Sequence, residues 1–147
     1  MKAIKNFDEF IKKGIVKKQS PDKPRAEFLI KESEQDYLLL SELLNKLKID
    51  DKNSNMFIKS CYDILMELIR AKMLLEGYNA SGFGAHEAEV SYMRVSGFDE
   101  KDVQFVDQIR FFRNGMLYYG TMLDRVYAEK VVRFTKKIYP KLREMVK

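Results

Sequence analysis

The chain has 147 residues, of which 46% are hydrophobic and 33% charged, so general disorder is excluded and a single domain with its own core is favoured. Its single cysteine, Cys61, excludes a disulfide within the chain, and its single histidine, His86, excludes a multi-histidine metal site in one chain. The net charge of +5 is concentrated at the ends, since residues 1–25 carry eight bases and three acids and residues 125–147 carry eight bases and two acids.

Two explanations fit this charge distribution. The basic ends could contact RNA, a nucleotide or an acidic partner, or they could simply be solvated helix faces. No stretch reaches the ~18 apolar residues that a membrane span needs, and the start has no apolar signal-peptide core. We therefore expect a soluble, cytoplasmic protein that does not associate with membranes.

The N-terminal residues predict a lead-in segment followed by a helical domain. Residues 1–19 are basic, and the helical spacing of three apolar residues predicts a short helix that ends at Gly14: Phe7, Phe10 and Ile11. The prolines of Ser20-Pro21 and Lys23-Pro24 mark the start of the next helix, because proline is tolerated in a first turn. Residues 20–147 are predicted to form the bundle domain.

Two long apolar stripes at helical spacing come next, from Ala26 to Leu47 and from Phe57 to Leu75. Asn53 or Ser54 is the expected cap of the second helix, which should be the most buried one, and Gly77 should end it. Cys61 lies on its apolar stripe, which favours a packed, inert thiol over a catalytic one.

The second half of the chain predicts a loop at 79–84, a short helix from Ala85 to Val95 and two more long helices. Asp99 is the expected cap of the first long one, which Gly120 interrupts. The last helix carries Pro140 inside its pattern, so a kink or an early end is expected there.

No run alternates with period two for long enough to predict a strand. We therefore predict an all-α fold, an up-and-down antiparallel bundle of four main helices plus a short N-terminal helix.

Candidate chemistry begins at His86, which opens the short helix beside Glu87 and Glu89. Those carboxylates could hold the imidazole as a cation or orient it. An exposed or capping histidine is the plainer interpretation, and a general base is the functional one.

A second candidate lies on the following helix. Asp107, Arg110, Asn114 and Tyr118 share one helix face, and Arg113 lies beside it. Arginine suits phosphate binding because it is always charged and can donate two parallel hydrogen bonds. The structural alternative is an Asp107–Arg110 pair with solvated arginines.

The segment from Arg113 to Tyr118, Arg-Asn-Gly-Met-Leu-Tyr, resembles the signature of HEPN domains, small helical bundles in which an Arg-Asn pair is followed by a histidine. The segment from Ala71 to Tyr78 is similar to the second core helix of that family and its glycine-tyrosine exit. The resemblance covers roughly residues 20–145. It implies a homodimer whose cleft holds RNA or a nucleotide, and for many members metal-independent RNA cleavage.

Carried onto this chain, the resemblance implies that Arg113 would hold a phosphate, with Asn114 beside it. Tyr118 stands where the family has its histidine, and a phenol is a poorer general base at neutral pH than an imidazole. His86 lies on another helix. The resemblance therefore implies a catalytically degenerate protein, and Tyr118 and His86 are its weaker catalytic candidates beside Arg113.

Our leading prediction is a HEPN-type protein that binds RNA or a nucleotide through Arg110, Arg113 and Asn114, without a metal or cofactor. The resemblance also implies pairing with a small nucleotidyltransferase, as in toxin–antitoxin systems. Two alternatives remain: an active metal-independent endoribonuclease that uses Tyr118 or His86 for proton transfer, and a structural adaptor that binds another protein.

Overall fold

The structure, a computed structural model, describes residues 3–147 and is built almost entirely of helices. Short connections join six helices and two three-residue strands: α1 (Phe7–Lys12), β1 (Val16–Lys18), α2 (Lys23–Lys46), α3 (Ser54–Leu75), β2 (Tyr78–Ala80), α4 (Ala85–Val95), α5 (Glu100–Tyr119) and α6 (Arg125–Met145). The predicted all-α bundle of four long helices with a short N-terminal helix is confirmed.

Helix α3 lies at the centre of the bundle and contacts α2, α4, α5 and α6. Thirteen of its 22 residues are buried, against three of the 24 in α2, so the prediction that α3 is the most buried helix is confirmed. Apolar side chains cover most of its circumference, from Phe57 and Ile58 to Leu74. A helix with so wide an apolar surface is stable in the middle of a core.

The two strands were missed by the sequence prediction. Val16 pairs with Ala80 and Lys18 with Tyr78 in an antiparallel ladder, so Asn79 and Ala80 lie in a strand and not in the predicted loop. Three residues are too few for a period-two pattern to be recognised. The ladder fastens the N-terminal segment to the end of α3.

The N-terminal segment belongs to the same core as the bundle. Phe7 and Phe10 of α1 are 5% and 3% exposed, and Phe7 contacts the rings of Tyr78 and Tyr92 at centroid distances of 5.2 and 4.7 Å. This packing holds α1 against α4, the helix that carries His86.

Gly77 makes the tight connection between α3 and β2 possible. Its φ is +84°, and a Cβ at this position would lie 2.7 Å from the backbone oxygen of Gln19. A side chain would be strained by the left-handed backbone and would collide with the chain leading into α2. The predicted end of α3 near Gly77 is confirmed.

Side chains cap two of the helices. Asp22 accepts from the Arg25 amide at the start of α2 at 3.2 Å, and Asp124 accepts from the Tyr127 amide at the start of α6 at 2.9 Å. Asn53 and Asp99 occupy the positions before α3 and α5, as predicted, but neither side chain makes a capping hydrogen bond. Asn53 instead accepts from the Asp50 amide at 2.8 Å and organises the preceding turn.

Pro140 does not end α6, which continues to Met145, so the prediction of an early end is wrong. Pro140 is exposed, and the residue whose carbonyl loses its helical partner, Lys136, is exposed too, so water can replace that hydrogen bond. Leu142 and Val146 are buried beyond it, which favours continuing the helix. Among residues 3–147, no helix combines the length and the apolar character needed to cross a bilayer.

Candidate functional site

Two depressions meet at His86, where the first turn of α4 faces α3 and α5. We call the first, of about 350 Å³, the Arg113 cleft; it is lined by Leu29, Asp36, Tyr62, Asp63, Met66, Glu67, Arg70, His86 and Arg113. We call the second, of about 430 Å³, the Arg110 groove; it is lined by residues 82–87 together with Arg110, Asn114 and Tyr118. His86 lines both, so the fold brings the lone histidine beside the arginine face of α5.

The orientation of His86 is set by Glu89, one turn further along α4. The ring Nδ1 lies 3.1 Å from Oε1 of Glu89, and the Arg70 guanidinium binds the same carboxylate through Nε at 2.5 Å and Nη2 at 3.0 Å. Burial raises the pKa of Glu89, but the hydrogen bonds from His86 and Arg70 outweigh it and hold that pKa below its usual value. Glu89 therefore stays ionised and holds His86 and Arg70 together.

Arg113 is partly buried in its cleft. The alternative in which this arginine is simply solvated on the bundle surface therefore does not describe it. Its Nη2 lies 3.4 Å from Oδ1 of Asp63, and its guanidinium carbon lies 5.2 Å from the ring centroid of Tyr62, a cation–π arrangement. The Arg113 Nε and the Tyr62 hydroxyl are buried, and neither has a hydrogen-bond partner among the described residues. The cleft therefore holds an unused donor beside the arginine.

Arg110 belongs to the neighbouring groove and is shared between two acids. Its Nε donates to Oδ1 of buried Asp107 at 2.7 Å, and its Nη2 lies 3.4 Å from Oε1 of Glu87. The predicted Asp107–Arg110 pair is therefore present. Glu87 contacts Arg110, whereas Glu89 is the carboxylate that orients His86.

The N-terminus of α4 lines the Arg110 groove. Gly84 precedes the helix with a φ of +89° and offers no capping side chain. The amides of Ala85 and Ala88 bond to the carbonyls of Gly82 and Gly84, which leaves the amides of residues 86 and 87 without a partner among the described residues. Such free amides, with the positive end of the helix dipole, favour an anion.

Aromatic rings stand at the rim of the same groove. Phe83 is fully exposed at 101% and Tyr118 is 75% exposed. Rings of this kind in open positions offer faces on which planar groups can stack. Arg113 and Tyr118 line different depressions, in agreement with the wide angle that five residues of helix put between them.

A cluster of three carboxylates borders the Arg113 cleft, since two of its members, Asp36 and Glu67, line that cleft. Oxygen atoms of Glu32, Asp36 and Glu67 all lie within 4.8 Å of one another. Burial, together with the neighbouring Asp36 carboxylate, raises the pKa of Glu67 to about 8. At neutral pH a proton on Glu67 therefore relieves the repulsion within the cluster, and oxygen-preferring cations are the metals that such ligands could hold.

The residues that α3 contributes to the Arg113 cleft were missed in the sequence analysis. Asp63, Glu67 and Arg70 step by four and three along the helix predicted to be the most buried, so they form a polar stripe on an otherwise apolar element. That interruption was the available signal, because charged residues on a core helix need partners. Cys61 lies elsewhere, fully buried, and burial raises the pKa of its thiol to about 11.

Comparison of the chain with models of protein families finds no match. No curated protein and no solved structure matches it either. The resemblance to HEPN domains therefore stays a prediction.

Proposed function

We propose that this protein is a HEPN-type helical bundle that binds RNA or a nucleotide through its phosphate groups in the Arg110 groove, next to the Arg113 cleft. The observation that carries the proposal is the convergence of Arg110, Asn114 and Tyr118 from α5 with His86 at the first turn of α4. These groups combine a permanent cation, an amide, aromatic faces and an imidazole in one open depression.

The chemistry of the groove suits a phosphate at the start of α4 and a base at its rim. The free amides of α4 and the Arg110 guanidinium are donors for phosphate oxygens. The exposed rings of Phe83 and Tyr118 are positioned to stack on bases, a contact that tolerates any base sequence. We therefore expect little sequence preference among single-stranded ligands.

The acidic residues that contact Arg110 keep the affinity of the groove for phosphate modest. Glu87 lies 3.4 Å from Arg110 and its side chain is 40% exposed, so a phosphate would compete with a carboxylate that is free to turn outwards. Asp107 is 2% exposed and keeps its hydrogen bond to the Arg110 Nε. We expect the phosphate to replace Glu87 and to leave the Asp107–Arg110 pair intact.

The same proposal includes a homodimer. Large apolar side chains are exposed around the end of α5 and the start of α6: Phe111, Leu117, Tyr119, Met122 and Val126. A concentration of such residues is typical of an interaction surface. A second chain packed there would lie beside Tyr118 and enlarge the Arg110 groove.

The test is the binding of a 5′-fluorescein-labelled 12-nucleotide RNA, measured by fluorescence anisotropy at several salt concentrations. Arg110→Ala should weaken binding by about tenfold, because it removes a charged phosphate contact in the groove. Arg113→Ala should weaken it less, because Arg113 lines the neighbouring cleft. Lys46→Ala changes an exposed lysine at the end of α2 and should bind like the unaltered chain. Equal affinity of the unaltered chain and Arg110→Ala would contradict the proposal, and loss in the Lys46→Ala control would indicate unspecific attraction.

RNA cleavage is a second candidate function, favoured by one observation. His86 lines the Arg113 cleft as well as the Arg110 groove, so an imidazole is available where the family resemblance leaves only Tyr118. A metal-independent endoribonuclease would use Arg113 for the scissile phosphate and His86 for proton transfer. Its test is cleavage of the same RNA in the presence of EDTA, lost in His86→Ala and retained in Tyr118→Phe; absence of cleavage by the unaltered chain would reject it.

The partner inferred from the family resemblance is a small nucleotidyltransferase, as in a toxin–antitoxin pair. Its test is co-purification of the chain with a nucleotidyltransferase encoded beside it. A complex that survives gel filtration would support the pairing. An adjacent nucleotidyltransferase that elutes separately would contradict it.

A further inference from the structure

A third pocket, separate from both depressions at His86, lies between α5 and α6. It has a volume of about 350 Å³, within the range of small-ligand sites. Phe105 and Phe134 form its apolar part and meet edge to face, with ring centroids 4.6 Å apart. Both rings are only partly buried in the core, so the pocket offers them to a ligand.

Three lysines surround these rings: Lys101, Lys130 and Lys137. All three are exposed, and none forms an ion pair with a described residue. The ammonium of Lys130 lies 5.2 Å from the ring centroid of Phe105, which places its charge directly beside the apolar surface. The aromatic pocket is therefore surrounded by three lysines that form no salt bridge with a described residue.

Of the other polar groups of the pocket, Gln108 offers a donor to an anion, whereas the Gln104 amide already donates to Oε1 of Glu100 at 2.7 Å. The Gln108 carbonyl oxygen accepts from the Tyr127 hydroxyl at 2.8 Å, so the Gln108 amide nitrogen is left to donate. Asp102 is the one acid of the lining and is 7% exposed. Three lysines against one aspartate leave a formal charge of +2 around the rings.

We propose that the pocket between α5 and α6 binds a small anion with an apolar body, an acyl or aryl carboxylate or sulfonate. The apolar body lies on Phe105 and Phe134, and the anionic head is held by Lys130 and Lys137. A neutral apolar molecule would leave the lysines without a counter-charge, and a bare inorganic anion would leave the rings in water. The proposal does not depend on RNA or nucleotide binding at the Arg110 groove.

RNA is the alternative ligand for this pocket, because lysines beside aromatic rings are also common in sites that bind single-stranded nucleic acids. A small ligand is favoured because both rings are partly buried in the pocket, whereas the Phe83 ring is fully exposed. RNA would also require phosphate contacts that continue beyond the pocket. The two ligands are distinguished by competition.

The experiment uses the full chain and the fluorescent aryl sulfonate 8-anilinonaphthalene-1-sulfonate as the probe. We expect saturable binding that octanoate displaces, while 1-octanol and inorganic phosphate at the same concentrations do not. Lys130→Gln and Lys137→Gln should each weaken probe binding by several-fold, and the double variant by about tenfold or more. Lys136→Gln is the matched control, because Lys136 is exposed on the same helix and does not line the pocket.

Three outcomes would overturn the proposal. Octanoate could fail to displace the probe, the double variant could bind it as tightly as the unaltered chain, or Lys136→Gln could weaken binding as much as Lys130→Gln. Displacement by the 12-nucleotide RNA but not by octanoate would assign the pocket to an RNA surface and also overturn it. Because the lysines are exposed, we expect all variants to fold like the unaltered chain. Equal thermal unfolding curves would show that each comparison is made on folded protein.

Discussion

Arg70 on α3 and Glu89 on α4 form an ion pair in which the carboxylate side chain is 4% exposed and the guanidinium side chain 26% exposed. The carboxylate could not remain ionised at this depth without its two donors. The pair joins the central helix to the helix that carries His86, so its strength governs the geometry of both depressions.

Glu89→Gln should lower the free energy of unfolding by about 3 kcal/mol, because it leaves the Arg70 charge partly buried without a counter-charge. Urea unfolding at neutral pH measures the change. Glu129→Gln is the control, since Glu129 forms an exposed pair with Arg125 at 2.7 Å, and such a pair contributes about 1 kcal/mol or less. Equal effects of the two substitutions would show that burial adds nothing to the Glu89 pair.

The same pair predicts a loss of stability in acid. The pKa of Glu89 in the folded chain lies below the ordinary glutamate value of 4.5. Its contribution to stability is therefore fully present above that value and disappears as the pH falls through the folded pKa. Urea midpoints measured between pH 6 and pH 3 should decline less for Glu89→Gln than for the unaltered chain. Parallel declines would contradict this assignment.

Glu67 predicts the opposite dependence of stability on pH, in a higher pH range. Its pKa is raised to about 8 by burial and by Asp36, from the ordinary glutamate value of 4.5. The folded chain therefore binds a proton that the unfolded chain releases, and stability should decrease as the pH rises from about 5 to 8. Glu67→Gln keeps the neutral shape and should flatten this part of the stability curve. Asp22→Asn, at an exposed helix cap, should leave the decrease in place.

The Cys61 thiol should be unreactive in the folded chain. It is fully buried, and its pKa is raised to about 11, so the thiolate that attacks a disulfide reagent is scarce at neutral pH and shielded from solvent. Reaction with Ellman's reagent should follow the fraction of unfolded chain across a urea series. Full reaction within minutes in the absence of urea would show that the α3 core opens readily.

Gly77→Ala should destabilise the fold by about 3 kcal/mol, from the left-handed backbone and the collision with Gln19. Gly14→Ala isolates the first contribution, because Gly14 has a φ of +76° but nothing within 4 Å of a Cβ at that position. Its cost should be about 1 kcal/mol. Thermal or urea unfolding of both variants gives the difference, and equal costs would show that the Gln19 segment moves aside freely.

The helices of the bundle could be predicted well, because the evidence for each is a periodic apolar pattern within one segment of the sequence. The stripes from Ala26 to Leu47 and from Phe57 to Leu75 match α2 and α3 to within a few residues. The caps at Asn53 and Asp99 were placed correctly, but neither side chain caps its helix. The Asn53 side chain bonds within the preceding turn, a competing contact that a local rule does not include. The pairing of β1 with β2 depends on contacts between distant segments and left no pattern in either.

The site was predictable only in part, for the same reason. The spacing of Arg110, Asn114 and Tyr118 on one helix face was enough to place them in one groove. That His86 lies beside them depends on how α4 packs on α5, which no spacing within either helix encodes. The role of Glu89 as the acceptor for both His86 and Arg70 likewise required the third helix, α3.

The pairing of Val16 with Ala80 joins residues 64 positions apart, and this separation bears on the order in which the chain folds. Closing such a loop is slow compared with forming the α2–α3 hairpin, whose contacts are close in sequence. We expect the helical hairpin to form first and the N-terminal segment to dock late, when Phe7 packs against Tyr78 and Tyr92. A newly made chain would then have its bundle before α4 is held from the N-terminal side.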